Sequence, residues 1–204
     1  MYIPKAFEMH DAGSLADFIK QHSFGLLVSY AGLQPEATHV PFFYDSTHQV
    51  LLTHLAKNNP QWRNIQGQRV MVVFSGPHCY VSPSWYGFPD SVPTWNYVAV
   101  HVTGNCEVVH EDTELAQLLE NIVKFYEPES TLPGRSNEAF YQGMMKEIVG
   151  LRIRVEKIEG AAKLSQNKPI AVQERVIERL KSLNDADSLA VAGLMREQLS
   201  GKKN

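Results

Sequence analysis

Cysteine is scarce: the 204 residues hold only Cys79 and Cys106. Two cysteines cannot build a disulfide framework, and neither lies in a CxxC pair, so the short paired spacing of a structural zinc site is missing too. They read as buried thiols. No run of about 18 apolar residues is present to span a bilayer. Met1 to Met9 carries Lys5 and Glu8 and lacks the apolar core of a signal peptide. The expectation is a soluble, cytoplasmic protein with no membrane partner. A strong excess of one charge is also absent, the formal net charge being −3. Residues 161–204 hold eight Lys or Arg against five Asp or Glu, and the rest of the chain eleven against seventeen. That asymmetry falls short of the basic footprint of a stand-alone DNA-binding domain. Internal repeats and low-complexity segments are lacking as well.

What is present suits one ordinary globular domain, with 44% hydrophobic and 20% charged residues. Asp11 or Ser14 caps a short helix marked by Leu15, Phe18 and Ile19. Strand patterns follow at Phe24 to Tyr30, Thr38 to Tyr44 and Gln49 to Leu55, separated by turn residues, and they predict an antiparallel meander. Asn58 to Ile65 reads as a short Asn-capped helix with a proline at its start, and Arg69 to Ser75 as the next strand. Tyr97 to Val109 is the longest strand candidate. Its alternation places Val98, Val100 and Val102 on one face and His101 and Thr103 on the other, and Gly104 marks a possible bulge. Glu111-Asp112-Thr113 starts an amphipathic helix carrying Leu115, Leu118, Leu119, Ile122, Val123 and Tyr126. A shorter helix is predicted around Asn137 to Lys146, and a half-buried strand from Ile148 to Ile158. Residues 160–169 read as a polar loop, followed by helices at Ile170 to Leu183 and Asp187 to Leu199 and a frayed end at Gly201 to Asn204. Six or seven mostly antiparallel strands with peripheral helices predict a small closed or half-open barrel over 1–160. Residues 161–204 are then a polar loop plus a helical extension of the same domain.

The segment between residues 74 and 97 stands out, with four prolines and five Trp or Tyr rings between two strand patterns. Proline neither donates to a sheet ladder nor sits inside a helix, so rings on such a stretch form a stiff wall suited to a flat ligand.

Five stretches together carry a resemblance: His54 to Trp62, Phe74 to His78, Tyr80 to Tyr86, Val92 to Tyr97, and Lys163-Leu164-Ser165-Gln166-Asn167. In this order and spacing the chain resembles the PaiB family over nearly its whole length. Those proteins are described as FMN-binding negative transcriptional regulators. The resemblance implies a split β-barrel like that of pyridoxamine phosphate oxidases and flavin reductases, an FMN cofactor, and a homodimer. Carried onto this sequence, Thr53, His54, Lys57 and Asn58 are expected at the FMN phosphate, where a lysine and hydrogen-bond donors suit an anion. Thr94, Trp95, Asn96 and Tyr97 are expected at the isoalloxazine, with Tyr80, Trp85 and Tyr86 as its other wall. Lys163, Ser165, Gln166 and Asn167 are expected on a loop that closes on the site. The bland readings are a solvated lysine, a polar linker, and rings serving the dimer interface.

Rival functions stay open at this point. A flavin-dependent oxidoreductase is the principal alternative, although no residue stands out as a proton donor. A haem-binding or haem-degrading split barrel is a further one. His78 with Cys79, and His101 with Cys106, lack metal-ligand spacing. Asp187 to Leu199 carries a single arginine, so the last two helices make a poor helix-turn-helix, and direct DNA contact is not supported there.

Overall fold

The computed structural model describes residues 1–88 and 90–201. Pro89 of the aromatic stretch, and residues 202–204 at the end expected to fray, lie outside the described residues. The elements in order are β1 (Glu8–Met9), α1 (Ala12–Gln21), β2 (Phe24–Ala31), β3 (Gln34–Pro41), β4 (Phe43–Asp45), β5 (Val50–Ala56), β6 (Arg69–Val81), β7 (Thr94–Val109), α2 (Asp112–Tyr126), α3 (Ala139–Met145), β8 (Ile148–Lys163), α4 (Ile170–Leu183) and α5 (Ala186–Gly201). Short 3-10 turns lie at Lys5–Phe7, Pro60–Asn64 and Pro83–Trp85.

The strands pair in the order β3-β2-β6-β7-β8-β5-β4, with β1 antiparallel to the end of β8. The chain divides into two compact units. A central unit comprises Ala12–Phe74 and His101–Ile158; a terminal unit comprises Met1–Asp11, Ser75–Val100 and Glu159–Asn204.

In the central unit, the run read as one strand over 38–44 is two. Phe42 divides it, fully buried, with its N–H bound to the Ser23 carbonyl at 2.8 Å. Before it β3 pairs with β2; after it β4 pairs with β5. Since β3 and β4 are the two ends of the strand path and only one residue separates them, those ends must lie close, as barrel closure demands. Alternation along the run is right, but the change of partner leaves no trace in a period-two pattern.

Helix α2 starts on Glu111, whose carboxylate accepts the Glu114 N–H at 2.8 Å. It packs Leu115, Leu118 and Ile122 against Leu52 and Val109. Gly150 permits this close approach, because a Cβ there would stand 3.0 Å from Leu115 Cδ1. Gln61 is the buried residue of the Pro60–Asn64 turn, and its side-chain amide donates to the Ser29 hydroxyl at 2.9 Å and accepts from Thr38 at 2.6 Å.

Two predicted loops are shorter than expected. Strand β6 continues through Pro77 to Val81, and β7 starts already at Thr94. The β2 ladder covers only Met71–Val73 of β6, so Pro77 lies outside it and withholds no hydrogen bond from β2. The loop read at 160–169 likewise begins only after Lys163. Gly160 and Ala161 pair with Met9 and Glu8, and a two-residue strand such as β1 has no periodicity to reveal it.

Candidate functional site

In the terminal unit, alternation along β6 and β7 decides which side chains are offered to a ligand. His78 and Tyr80 share one face, and both rings lean on Trp95, at centroid distances of 5.5 and 6.4 Å. Tyr80 is 47% and Trp95 51% exposed, so two large rings present open faces. The sequence offers His78 only as a metal ligand beside Cys79, not as a ring beside Trp95, because its segment passes for loop, where alternation is not applied.

The next residue points inward. Asn96 is fully buried, its amide nitrogen 3.0 Å from Ser165 Oγ and 3.5 Å from Met195 Sδ of α5, while the Ser165 hydroxyl donates back to Asn96 Oδ1 at 3.1 Å. Ser165 holds a left-handed backbone, φ 61°, uncommon for a residue with a side chain. Gln166 braces that turn, accepting the Leu164 N–H at 2.7 Å and donating to the Ala162 carbonyl at 2.5 Å. Lys163 donates to the Thr94 hydroxyl. The structure thus brings Thr94 and Asn96 together with Lys163, Ser165 and Gln166. Asn167 is an exposed turn residue and Tyr97 is half-buried.

We expect Asn96→Leu to leave the buried Ser165 hydroxyl without its partner and to lower stability by about 2 kcal/mol. Adding Ser165→Ala should recover part of that loss. Chemical denaturation of the two variants checks this, and an unshifted midpoint for Asn96→Leu rules the lock out.

Tyr86 lies only 2% exposed, its ring under Lys168 Nζ at 5.1 Å and its carbonyl bound by Arg175. Trp85 is half-buried and lines a groove with Ser84, Gly87, Arg175 and Arg179. These two rings therefore face the C-terminal helices of their own unit.

In the central unit, Thr53 is fully buried and donates to the Pro41 carbonyl at 2.6 Å. His54, next along the strand, lines an apolar cavity, and its Nδ1 is buried with no hydrogen-bond partner. Lys57 and Asn58 form an exposed turn directly after β5. The Lys57 ammonium reaches the Lys146 carbonyl at 3.3 Å, a long contact that leaves its other donors available.

Burial holds the His54 imidazole below its ordinary pKa of 6.5, and His22 is lowered for the same reason. The unfolded chain then takes up protons at these sites before the folded one does. Stability should be unaffected above pH 6.5 by either group and should fall as pH drops below about 6.5. Midpoints measured at about pH 7.5 and about pH 5.5 should differ, and His54→Gln should narrow the difference. Equal midpoints would overturn the assignment of a neutral, desolvated ring.

Residues 1–157 match a family described as "Putative FMN-binding domain". The chain belongs to this FMN-binding family. Among curated relatives, this family member is 37% identical over 205 residues to protease synthase and sporulation protein PAI 2 of Bacillus subtilis, with 98% of each chain covered. The PaiB resemblance therefore stands. An uncharacterized protein of Aspergillus fumigatus is 26% identical over 242 residues, covering 90% of this chain and 92% of that one. Among solved structures, the flavocytochrome Anf3 from Azotobacter vinelandii superposes with a TM-score of 0.63 at 12% identity, covering 79% of this chain and 72% of that one. An FAD and heme binding protein from Mycobacterium smegmatis gives 0.59 at 15% identity, covering 76% and 73%. The fold of this FMN-binding family member is the split β-barrel, mostly antiparallel, and FMN is the cofactor its family supports. Among the described residues no helix is long and apolar enough to cross a membrane.

Proposed function

We propose that this protein binds FMN and acts as a PaiB-type negative regulator of transcription, as a homodimer. The observation that carries the reading is the match of 1–157 to an FMN-binding family. The side chains supply chemistry that fits the cofactor. In the central unit, Lys57 and Asn58 offer a cation and amide donors suited to a phosphate dianion. In the terminal unit, Tyr80 and Trp95 offer exposed ring faces suited to an isoalloxazine. Bound FMN would supply a redox-active ring. The protein's part is to hold and orient it.

Regulation through α4 and α5 reading DNA directly is disfavoured. Arg196, the one arginine of α5, is bound to Glu178 of α4 at 2.9 Å.

Titration of the purified protein with FMN, followed by visible absorbance and flavin fluorescence, tests the first part. Saturable quenching with one flavin per chain is expected. Gel retardation of promoter DNA with and without FMN tests the second. Steady oxidation of a nicotinamide cofactor by the flavin-loaded protein with a defined acceptor would replace the regulator by an oxidoreductase. No FMN binding at all would overturn the reading.

A further inference from the structure

A cavity of about 300 Å³ lies beside α1 in the central unit, and none of the residues expected at the flavin lines it. Ala16, Asp17 and Lys20 of α1 form one side, Phe43 and Tyr44 of β4 with Ser46 after it form the other, and Phe125 of α2 completes the lining. That volume is at the small end of ligand sites, large enough for one small molecule and too small for a helix or a peptide strand.

The apolar part is a pair of rings. Phe43 and Phe125 tilt against each other at a centroid distance of 5.4 Å, and both are half-buried, so part of each ring stays uncovered. Ala16 has too short a side chain to fill the space above them. The strand side is braced by Gln49, whose amide oxygen accepts from the Tyr44 hydroxyl at 3.1 Å and whose amide nitrogen donates to the Ser46 carbonyl at 2.6 Å. The nearby Asp45 is committed elsewhere, standing 2.6 Å from His48 Nδ1 and accepting the Thr47 and His48 N–H groups at 2.9 and 3.1 Å. The charges left to a guest are those of Asp17 and Lys20.

Opposite charges three apart on a helix can pair, as Glu178 and Lys181 of α4 do at 3.1 Å. Asp17 and Lys20 have the same spacing on α1, yet among the described residues neither has an ion pair or a side-chain hydrogen bond. Solvation alone accounts for an unpaired surface charge, because an exposed pair gains little. These two differ from ordinary surface charges in bordering one concavity that also holds uncovered rings. A purely anionic guest would meet Asp17 and a purely cationic guest Lys20, each a charge of like sign, and a neutral guest would use neither. A zwitterion with an apolar body meets both charges and the rings.

We propose that this cavity binds a free α-amino acid with an apolar side chain, its carboxylate on Lys20, its ammonium on Asp17 and its side chain on the Phe43–Phe125 pair. The site goes beyond the flavin reading and does not depend on it.

The test titrates the full chain, without FMN, with L-phenylalanine and two matched probes, followed by backbone amide NMR. Phenethylamine lacks the carboxylate, and 3-phenylpropanoate lacks the ammonium. L-Phenylalanine should shift the amides of residues 16–20 and 43–46 saturably, with a dissociation constant on the order of 1 mM, and each probe should bind at least about threefold more weakly. Asp17→Asn should abolish the preference over 3-phenylpropanoate, and Lys20→Gln the preference over phenethylamine. Both side chains are exposed and unpaired, so neither change should disturb the fold. Ser46→Trp, at an exposed position of the rim, should block all three molecules while the amide spectrum stays that of the folded chain. Absent or unsaturable shifts overturn the proposal, as do preferences that survive in Asp17→Asn and Lys20→Gln, or binding that persists in Ser46→Trp. Because the titration leaves out FMN, failure of the flavin reading would not alter its outcome.

Discussion

Gly104→Ala is expected to cost at least about 3 kcal/mol of stability, enough to lower the melting temperature by about 10 °C or to abolish soluble expression. An ideal Cβ at Gly104 would stand 2.2 Å from the Arg154 carbonyl oxygen and 2.9 Å from Ile153 Cγ2. The obstacle is backbone of β8, which cannot swing aside as a flexible side chain would. Gly143→Ala is the matched control. It lies in α3 with nothing within 4 Å of its Cβ position, so alanine there should raise stability by about 0.5–1 kcal/mol. Opposite signs for one chemical change at two sites separate steric conflict from any general effect of removing glycine. Thermal melting of both variants decides it. A Gly104→Ala protein that melts with the wild type would mean that β7 and β8 lie farther apart than described.

Lys57→Ala is expected to weaken FMN binding about ten- to thirtyfold, the loss of one charge-assisted contact to phosphate, or about 1.4–2 kcal/mol. Lys57→Arg should retain affinity within a few fold, since the charge persists. The side chain is exposed and its contact to the Lys146 carbonyl is long, so neither change should alter the melt of the free protein. Fluorescence titration at two salt concentrations measures both constants. The wild-type affinity should fall more steeply with salt than that of Lys57→Ala, because screening acts on the missing charge. Unchanged affinity in Lys57→Ala would remove the lysine from the phosphate site and leave Asn58 to be tested next.

Helices and long strands were legible wherever one face is apolar. The stripe of α2, the stripe of α4 and the alternation of Val98, Val100 and Val102 read directly as elements, because burial on one face imposes a period on the sequence. Phe42 was not legible as a boundary, since a strand that changes partner keeps its alternation. Neither was β1, whose place is fixed by a ladder with Gly160 and Ala161 rather than by its own two residues. In the candidate site, Trp95 and Asn96 were picked out together, yet their side chains have opposite fates. One ring is half exposed and one amide fully buried. Residue type alone cannot assign them, whereas recognising β7 from Thr94 onward would have done so by parity. The Asn96–Ser165 pairing spans 69 positions and depends on a left-handed serine, and nothing local in the sequence announces such a contact.

The two thiols carry a practical corollary. Cys79 is 6% exposed and Cys106 fully buried, and burial, with nearby carboxylates, pushes them up to about 11 and about 12. At neutral pH only about one Cys79 molecule in ten thousand is then a thiolate, the form that attacks maleimides and peroxides. The native protein should stay unlabelled under conditions that modify a surface cysteine completely. A single cysteine introduced at Leu33, 98% exposed at the tip of the β2–β3 hairpin, would then be the lone reactive handle on the molecule, with both wild-type thiols left in place.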